Sequence, residues 1–408
     1  MKILLICPFF PPEVGSAAHL YYELGQALKA RGHEITVLTG LPRYHVLGES
    51  KHYRSRPFIS ETYHGLRVFR VFNLDIPWNV PLLRGLDQFL SAFCFGLAGC
   101  FLPPFDIALV YSPPLPLAMA TYFMGRLRGR PVVLNVQDIF PQSAIDLGVL
   151  KNPWLIRCFK GMEAFAYRHF RLTVAHSEGN RRYIISRGGP PPRVTAIPNW
   201  VDTEAIQPGL KTNGLRTALG LEGHFIVSFA GIMGYSQDLG TIVKAAALLK
   251  DHPHIAFLLV GDGVEKPGLM KMVQESNLSN VHFLPMQPKA EYPKVLAASD
   301  LCLVTLRKEV QTPVVPSKIL SIMAAGRPVL ASLPLEGDAP RLIDAAQCGV
   351  CLPPGNPEKL AEAILKFSQD PGLGEAMGAK GRQYAVQHLS LDACVVQLEK
   401  LFEKTVNN

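Results

Sequence analysis

Charged residues are scarce, at 18% of 408, while hydrophobic residues make up 48%. That balance supplies apolar surface for large cores and excludes a disordered chain. The 34 glycines and 34 prolines follow no period, so fibrous and repeat architectures are excluded too. The chain has no Gly-x-Gly-x-x-Gly and no Walker loop, which weighs against a dehydrogenase, kinase or ATPase. It has no pair of neighbouring Cys-x-x-Cys motifs. The isolated Cys348-Gly-Val-Cys351 is bracketed by apolar residues and reads as core and turn, so no metal site is expected. Most other cysteines lie in apolar runs, as reduced thiols do, which favours a reducing compartment.

Two further features are missing. Met1-Lys2 leads into only five apolar residues before Pro8, Pro11 and Pro12, which reads as a first strand and not as a secretory leader. No apolar run reaches spanning length. From Leu82 to Pro104, Arg84, Asp87 and Gln88 interrupt the start, leaving about 15 apolar residues from Phe89 where a span needs about 20. This segment is expected as a buried helix or as one lying in a membrane surface, with a true span as the lesser alternative.

What is present is a doubled pattern. Residues 2–7 form an apolar run, followed by a Pro-rich loop, a helical spacing of apolar residues from Ala17 to Leu28, and a strand at Ile35–Leu38. The alternation returns at Phe105–Tyr111, Pro131–Val136 and Leu172–Ala175, with Ser177 placed to cap a helix from Glu178. Pro190-Pro191-Pro192 and the stretch from Ile197 to Asp202 break it. A second series then begins, with strands expected at 225–230, 256–260, 281–283, 301–305, 328–331 and 349–352. The fold class is α/β, with two Rossmann-like doubly wound domains facing a cleft. The expected boundaries are 1–198 for the first domain, 199–385 for the second, and 386–408 for a C-terminal helix crossing back.

In such sheets ligands bind beyond the carboxyl ends of the strands. The loop Pro8–Ser16 holds Glu13 and Gly15 directly before a helix start, which suits a phosphate. Phe229-Ala-Gly-Ile-Met-Gly234 and Val260-Gly-Asp-Gly263 place glycine pairs at strand ends, where backbone can approach a ligand closely. Asp262 could alternatively cap the following helix. Pro316-Ser317-Lys318 opens a helix that ends at Gly326. A lysine in a first turn opposes the helix dipole, unless an anion lies between them and uses both.

These segments, with Gly32–Gly40, Asp138-Ile-Phe-Pro-Gln-Ser143, Pro198-Asn-Trp-Val-Asp202 and Ala324-Ala-Gly-Arg-Pro-Val329, run in order over nearly the whole chain. Together they resemble the GT-B glycosyltransferases of family 4. Within that family they are similar to bacterial transferases of O-antigen and colanic-acid-type surface polysaccharides, including the L-fucosamine transferase subgroup. The resemblance implies retaining transfer of a sugar, for the subgroup an N-acetylated amino sugar, from a nucleotide-sugar donor to a lipid-linked glycan. It implies no cofactor and no metal, since positive side chains and helix ends neutralise the leaving group. It places the acceptor in the first domain and the donor in the second, with Gly261, Asp262 and Gly263 by the nucleoside, Lys318 and the Gly231–Gly234 loop by the diphosphate, Gly15 approaching it from the first domain, and Gln237, Pro316 and Ser317 among the donor-binding residues. Closure across the linker near Asn199–Asp202 would exclude water.

Departures from the family pattern are as telling. Two glutamates usual in the donor domain are replaced by Pro313 and Ser321. Ser321 can still offer a hydroxyl to a ribose. Two further cations give way to Ile232 and Gln237, leaving Lys318 as the main positive charge. Gln137 stands where a histidine is common, so Asp138 becomes the candidate for orienting or deprotonating the acceptor, with Glu13 on the same side. A non-catalytic nucleotide-sugar-binding subunit and a GT-B sugar-nucleotide epimerase are the alternative readings. Acid/base groups for the latter are limited to Asp138, Glu13 and His176.

Charge is unevenly divided. Residues 1–200 hold 22 basic and 12 acidic residues, whereas residues 201–408 hold 19 and 21. An apolar helix with arginines nearby (Arg54, Arg56, Arg67, Arg70 and Arg84) has the composition of a segment lying on an anionic membrane. No nucleic-acid module is visible. The chain is therefore expected to be cytoplasmic and peripheral at the inner face of the plasma membrane.

Overall fold

The computed structural model describes residues 1–13, 15–42, 53, 57–73 and 81–407, with the side chains of Ser16 and of residues 81–84 excepted. Val14, Arg54, Arg56 and the side chain of Arg84 therefore lie outside the described residues. The chain divides into two compact units. Unit 1 comprises Met1–Pro198 with Leu391–Asn408, and unit 2 comprises Asn199–Ser390.

Unit 1 is built on an eight-stranded sheet. Its strands are β1 (Lys2–Ile6), β2 (Glu34–Gly40), β3 (Phe58–Tyr63), β4 (Leu66–Val71), β5 (Ile107–Ser112), β6 (Val132–Val136), β7 (Leu172–Ala175) and β8 (Val194–Ala196), in the order β3-β4-β2-β1-β5-β6-β7-β8. All pairings are parallel except β3 with β4. β1 and β6 are apolar almost throughout because helices cover both faces of a parallel sheet. The helices are α1 (Ser16–Ala30), α2 (Pro81–Phe101), α3 (Leu115–Arg128), α4 (Gln142–Asp146), α5 (Pro153–His169) and α6 (Glu178–Ser186). Ser177 caps α6, accepting from the Asn180 N–H at 3.2 Å.

Unit 2 is built on a six-stranded, all-parallel sheet. Its strands are β9 (Phe225–Ala230), β10 (Ile255–Val260), β11 (Val281–Leu284), β12 (Leu301–Thr305), β13 (Val329–Ser332) and β14 (Gly349–Leu352), in the order β11-β10-β9-β12-β13-β14. After α7 (Gly214–Leu219), its helices include α8 (Leu239–Leu248), α9 (Lys266–Glu275), α10 (Tyr292–Ala298), α11 (Ser317–Ala324) and α12 (Asp338–Ala346). They bury Leu239, Ile242, Ile319 and Met323 against the strands. After α13 (Pro357–Gln369) and α14 (Pro371–His388), the last helix, α15 (Leu391–Asn407), belongs to unit 1. There Glu399 accepts from Arg31 Nε at 2.8 Å and lies 2.7 Å from His33 Nε2 at the end of α1.

Strand order reverses direction once in each sheet, between β1 and β5 in unit 1 and between β9 and β12 in unit 2. At such a switch point the loops leaving the two strands part to opposite faces and leave a crevice. The Pro-rich loop after β1 and the Gly231 loop after β9 each emerge at one.

The β3–β4 hairpin fixes the loop after β1. Arg70 on β4 is wholly buried, donating from Nε to Glu61 at 2.6 Å and from Nη2 to the Pro11 carbonyl at 2.6 Å. Its guanidinium also lies over the Tyr53 ring. A buried cation is tolerated when paired and hydrogen-bonded, and removing its partner strands the charge. Glu61→Ala should therefore lower unfolding free energy by about 2–4 kcal/mol, more than Arg70→Met does. Urea denaturation of both variants gives the order, and an equal or reversed loss would show that Arg70 is not held as a charge.

Candidate functional site

Unit 2 presents its chemistry at the β9/β12 switch point. The chain leaves β9 at Gly231 and β10 at Gly261, both with positive φ, of 146° and 145°. A Cβ on Gly261 would lie 1.9 Å from the Gly231 carbonyl oxygen, and one on Gly263 would lie 2.4 Å from that of Met233. Only glycine permits strand ends this close, so the backbone itself floors the crevice. Gly234 closes the first loop, and its carbonyl accepts from the Gln237 N–H at 2.9 Å.

Lys318 reaches over this floor from the first turn of α11. Its Nζ stands 3.9 Å from the centroid of the Phe229 ring and donates to Gln237 Oε1 at 2.6 Å. A Cβ on Gly231 would meet its Cε at 3.5 Å. Burial pushes the ammonium down to about 7. The helix start adds the positive end of a dipole. A cation thus sits in partial desolvation, without a carboxylate hydrogen-bonded to it among the described residues, beside backbone bared by glycine. Pro316 and Ser317 form the entry to α11, with Pro316 in the N-cap position.

The structure brings Gly231, Gly234, Gln237, Gly261, Gly263 and Lys318 together. Two other candidates behave differently. Asp262 does not cap α9. Its carboxylate pairs with Lys266 at 3.5 Å, while Lys266 also donates to the Gly261 carbonyl at 3.0 Å. Ser321 is hydrogen-bonded to the half-buried Tyr292, whose phenol is pushed upward by desolvation, so the serine hydroxyl is engaged within the unit.

Two cations at this edge were missed in sequence. Lys266 is one. The other is Arg307, just beyond β12, which pairs with Glu265 and whose N–H donates to the Ser236 carbonyl at 3.0 Å. The position of Arg307, two residues past a strand end, was the available signal. Asp238 ties the crevice to the rest of the sheet, with its Oδ2 accepting from Thr241 at 2.7 Å and from the Gly355 N–H at 3.0 Å.

Unit 1 gathers Tyr111, Asp138 and His176 at the carboxyl ends of β5, β6 and β7. Asp138 is open to solvent on one side and crowded by protein on the other. Crowding raises its carboxyl above the usual range. A hydrogen bond from Ser143 at 3.2 Å, the Ile139 N–H and nearby His176 oppose that rise, and the water that reaches it limits it. His176 is buried, with Asn180 Nδ2 at 3.0 Å from its Nδ1. Glu13 is buried near Cys7 and Arg70. Gly15 precedes α1 in extended backbone, φ 172°, with open space where a side chain would stand. A cavity of about 310 Å³ opens at the β1/β5 switch point, between Phe9, Pro113 and Phe140 on one side and Asp87, Gln88 and Ser91 of α2 on the other. Among the described residues no cluster of three His, Cys, Asp or Glu is arranged to hold a metal ion.

Comparison with known proteins agrees with this geometry. Residues 15–200 match a family model described as a glycosyl transferase 4-like domain, and residues 224–370 match one described as glycosyl transferases group 1. The chain is 26% identical over 89% of its length, and 91% of the relative's, to an Escherichia coli (strain K12) protein named as a colanic acid biosynthesis glycosyl transferase, WcaI. It is 28% identical over 78% of its length, and 81% of the relative's, to a protein of Pseudomonas aeruginosa named as a glycosyltransferase, WbjE. Among solved structures, Anabaena Alr3699/HepE in complex with UDP superposes with a TM-score of 0.73 at 20% identity, covering 99% of this chain and all of the other.

Burying Lys318 has a measurable sign. A lysine normally titrates near 10.4, so a folded value of about 7 means that the folded state binds fewer protons between those limits. The penalty of burial is complete below about pH 7 and fades as pH rises towards 10. Lys318→Met should therefore stabilise the protein by about 0.5–2 kcal/mol near pH 6, with the gain shrinking towards pH 9. Denaturant melts at both pH values check this, and a gain that grows with pH would contradict it.

The two domain matches and the two switch-point sheets reach one conclusion: this chain carries a glycosyltransferase 4-like domain followed by a glycosyltransferase group 1 domain, in the two-unit α/β fold of the GT-B type.

Proposed function

We propose that this protein transfers a sugar, with retention, from a nucleotide-sugar donor to a lipid-linked glycan during surface-polysaccharide assembly. The observation that carries the reading is Lys318, desolvated against Phe229 above the Gly231–Gly261 floor of unit 2. A diphosphate is the ligand that such an arrangement suits: helix-start N–H groups and one cation take its charge, and glycine lets its oxygens approach the backbone. Transfer lengthens and breaks the bond between the anomeric carbon and the diphosphate oxygen, so negative charge grows on the leaving group. Lys318 stabilises that growth, with Arg307 and Lys266 at the rim, and no metal is needed for it. The UDP of Alr3699/HepE and the colanic acid named for WcaI support the donor and the pathway class. The subgroup resemblance supports an N-acetylated amino sugar on that donor. Asp138 orients or deprotonates the acceptor hydroxyl, and its raised carboxyl suits it to accepting a proton.

On the acceptor side we assign α2 to a membrane surface. One side of this helix buries Ala92 and Phe95 and lines the unit 1 cavity through Gln88 and Ser91. Its opposite side exposes Leu86, Phe89, Phe93, Leu97 and Phe101 at helical spacing, Phe93 at 65% and Phe101 at 81%. No helix among the described residues is long and apolar enough to cross a membrane. A one-sided apolar helix on a basic half of the chain has the character of an interfacial segment, on the unit that would receive a lipid-linked substrate.

The donor assignment is tested by pH. A diphosphate beside Lys318 raises its pKa, so binding takes up a proton. Affinity for uridine diphosphate should be highest below pH 7 and fall by up to about tenfold per unit above it. Lys318→Ala should abolish acceptor-dependent release of nucleotide and flatten that profile, with the fold intact. Unchanged turnover would remove Lys318 from the diphosphate site, whereas donor binding without release for any acceptor would identify a non-catalytic binding subunit.

Asp138→Asn should lower kcat for transfer by about a hundredfold or more with little change in donor affinity. Unchanged turnover together with a lowered melting temperature would assign Asp138 to holding its loop through Ser143 instead.

A further inference from the structure

Unit 1 has a second concave face, at the opposite end of its sheet from Asp138. A cavity of about 370 Å³ opens where β6 and β7 begin, walled by Tyr122, Arg126, Arg130, His169 and Arg171. Three exposed arginines thus line one cavity. Arg130 reaches Asp106 only at 3.9 Å. Among the described residues no carboxylate pairs with Arg126 or Arg171. Arg128, which sits between Arg126 and Arg130 in sequence, is turned away from them, donating to the carbonyls of Cys100 at 2.6 Å and Leu102 at 3.0 Å. Gly125 makes the cavity possible: a Cβ there would meet Val132 Cγ2 at 2.4 Å, so only glycine lets α3 lie this close to the start of β6. Like charges held around a hollow repel one another, and a bound anion reverses that.

The rim narrows the class of anion. Tyr122 packs edge-on against the exposed Phe123, with ring centroids 5.4 Å apart. Leu127, next in sequence to Arg126, is 79% exposed. α3 packs along α2, whose outward face carries Phe93, Leu97 and Phe101. A basic hollow bordered by solvent-exposed apolar side chains is complementary to an amphiphile with an anionic head and apolar chains. A freely soluble anion would use the arginines alone and leave the apolar rim unexplained.

We propose that this cavity binds the phosphate headgroup of an anionic membrane lipid, fixing how unit 1 sits on the membrane surface. It rests on the assignment of α2 to a membrane. It adds a discrete headgroup site, remote from the acceptor-side groups and made by residues that assignment does not use.

The test is flotation of the full-length protein on phosphatidylcholine vesicles with and without phosphatidylglycerol. Three variants are compared, each first checked for an unchanged melting temperature: Arg126→Gln with Arg171→Gln in the cavity, Arg182→Gln with Arg193→Gln as an exposed pair of equal charge elsewhere on unit 1, and Phe93→Glu with Leu97→Glu on α2. Near a membrane each arginine contributes severalfold to partitioning, so the cavity pair should lower binding to phosphatidylglycerol vesicles by roughly tenfold or more and the control pair by much less. The α2 pair should abolish flotation on both kinds of vesicle. Equal losses for the cavity and control pairs would overturn the site in favour of bulk charge while leaving the membrane assignment standing. Failure of the wild-type protein to float would overturn both. Unchanged flotation of the cavity pair, with soluble glycerol phosphate raising the melting temperature of the wild type but not of that pair, would reassign the cavity to a free phosphate ligand and overturn the lipid.

Discussion

The desolvation of one ammonium group organises unit 2. Lys318 is held against the face of Phe229, a residue that exists to fill the core at the end of β9. Burial works against the charge, and the Gln237 carbonyl offers it a hydrogen bond but no opposite charge. The fold tolerates this because α11 and β9 are each secured elsewhere, by Ile319, Ile322 and Met323 in the core and by six residue pairs of β9 with β10. A surface lysine with water around it would be a weaker electrostatic partner, since its field is screened. The glycines at Gly231 and Gly261 belong to the same arrangement: with side chains there, the two strand ends could not lie this close together beneath the ammonium.

Most of this was legible in the sequence because parallel strands announce themselves. Strands buried on both faces are nearly continuous apolar runs, and β7, β9 and β12 begin and end where their runs do. Lys318 stood out because a lysine in a first turn contradicts the dipole, and the structure shows it desolvated against Phe229. Asp138 drew notice through the family pattern, with Gln137 where a histidine is common, and the structure adds the Ser143 bond and the histidine on the neighbouring strand end.

What was not legible depended on partners far away in sequence. The β3–β4 hairpin was missed because β3 lies at the sheet edge and alternates between exposed and half-exposed residues, which resembles a polar loop. Arg70 reads as a surface arginine until Glu61 and the Pro11 carbonyl are brought to it. Arg307 finds Glu265 across 42 positions, and Ser321 finds Tyr292 on another helix. Side-chain pairing of this sort is set by sheet order, and local periodicity carries no record of it. The α2 segment offered two readings, core helix or interfacial helix, and the structure gives it a buried side and an exposed apolar side at once.

The membership of α15 in unit 1 has a consequence for how the chain matures. Unit 2 is one uninterrupted stretch, residues 199–390, whereas unit 1 is closed only by residues 391–407 lying against α1. During synthesis the second unit is therefore fully translated while the first still lacks its last helix. Until Asp392 and Glu399 emerge, Arg31 and His33 lack the carboxylates that meet them in the folded unit, and the apolar residues of α1 that α15 covers face water. A nascent chain can thus complete its second unit while its first is still open. The final seventeen residues of helix then decide when the first unit is finished.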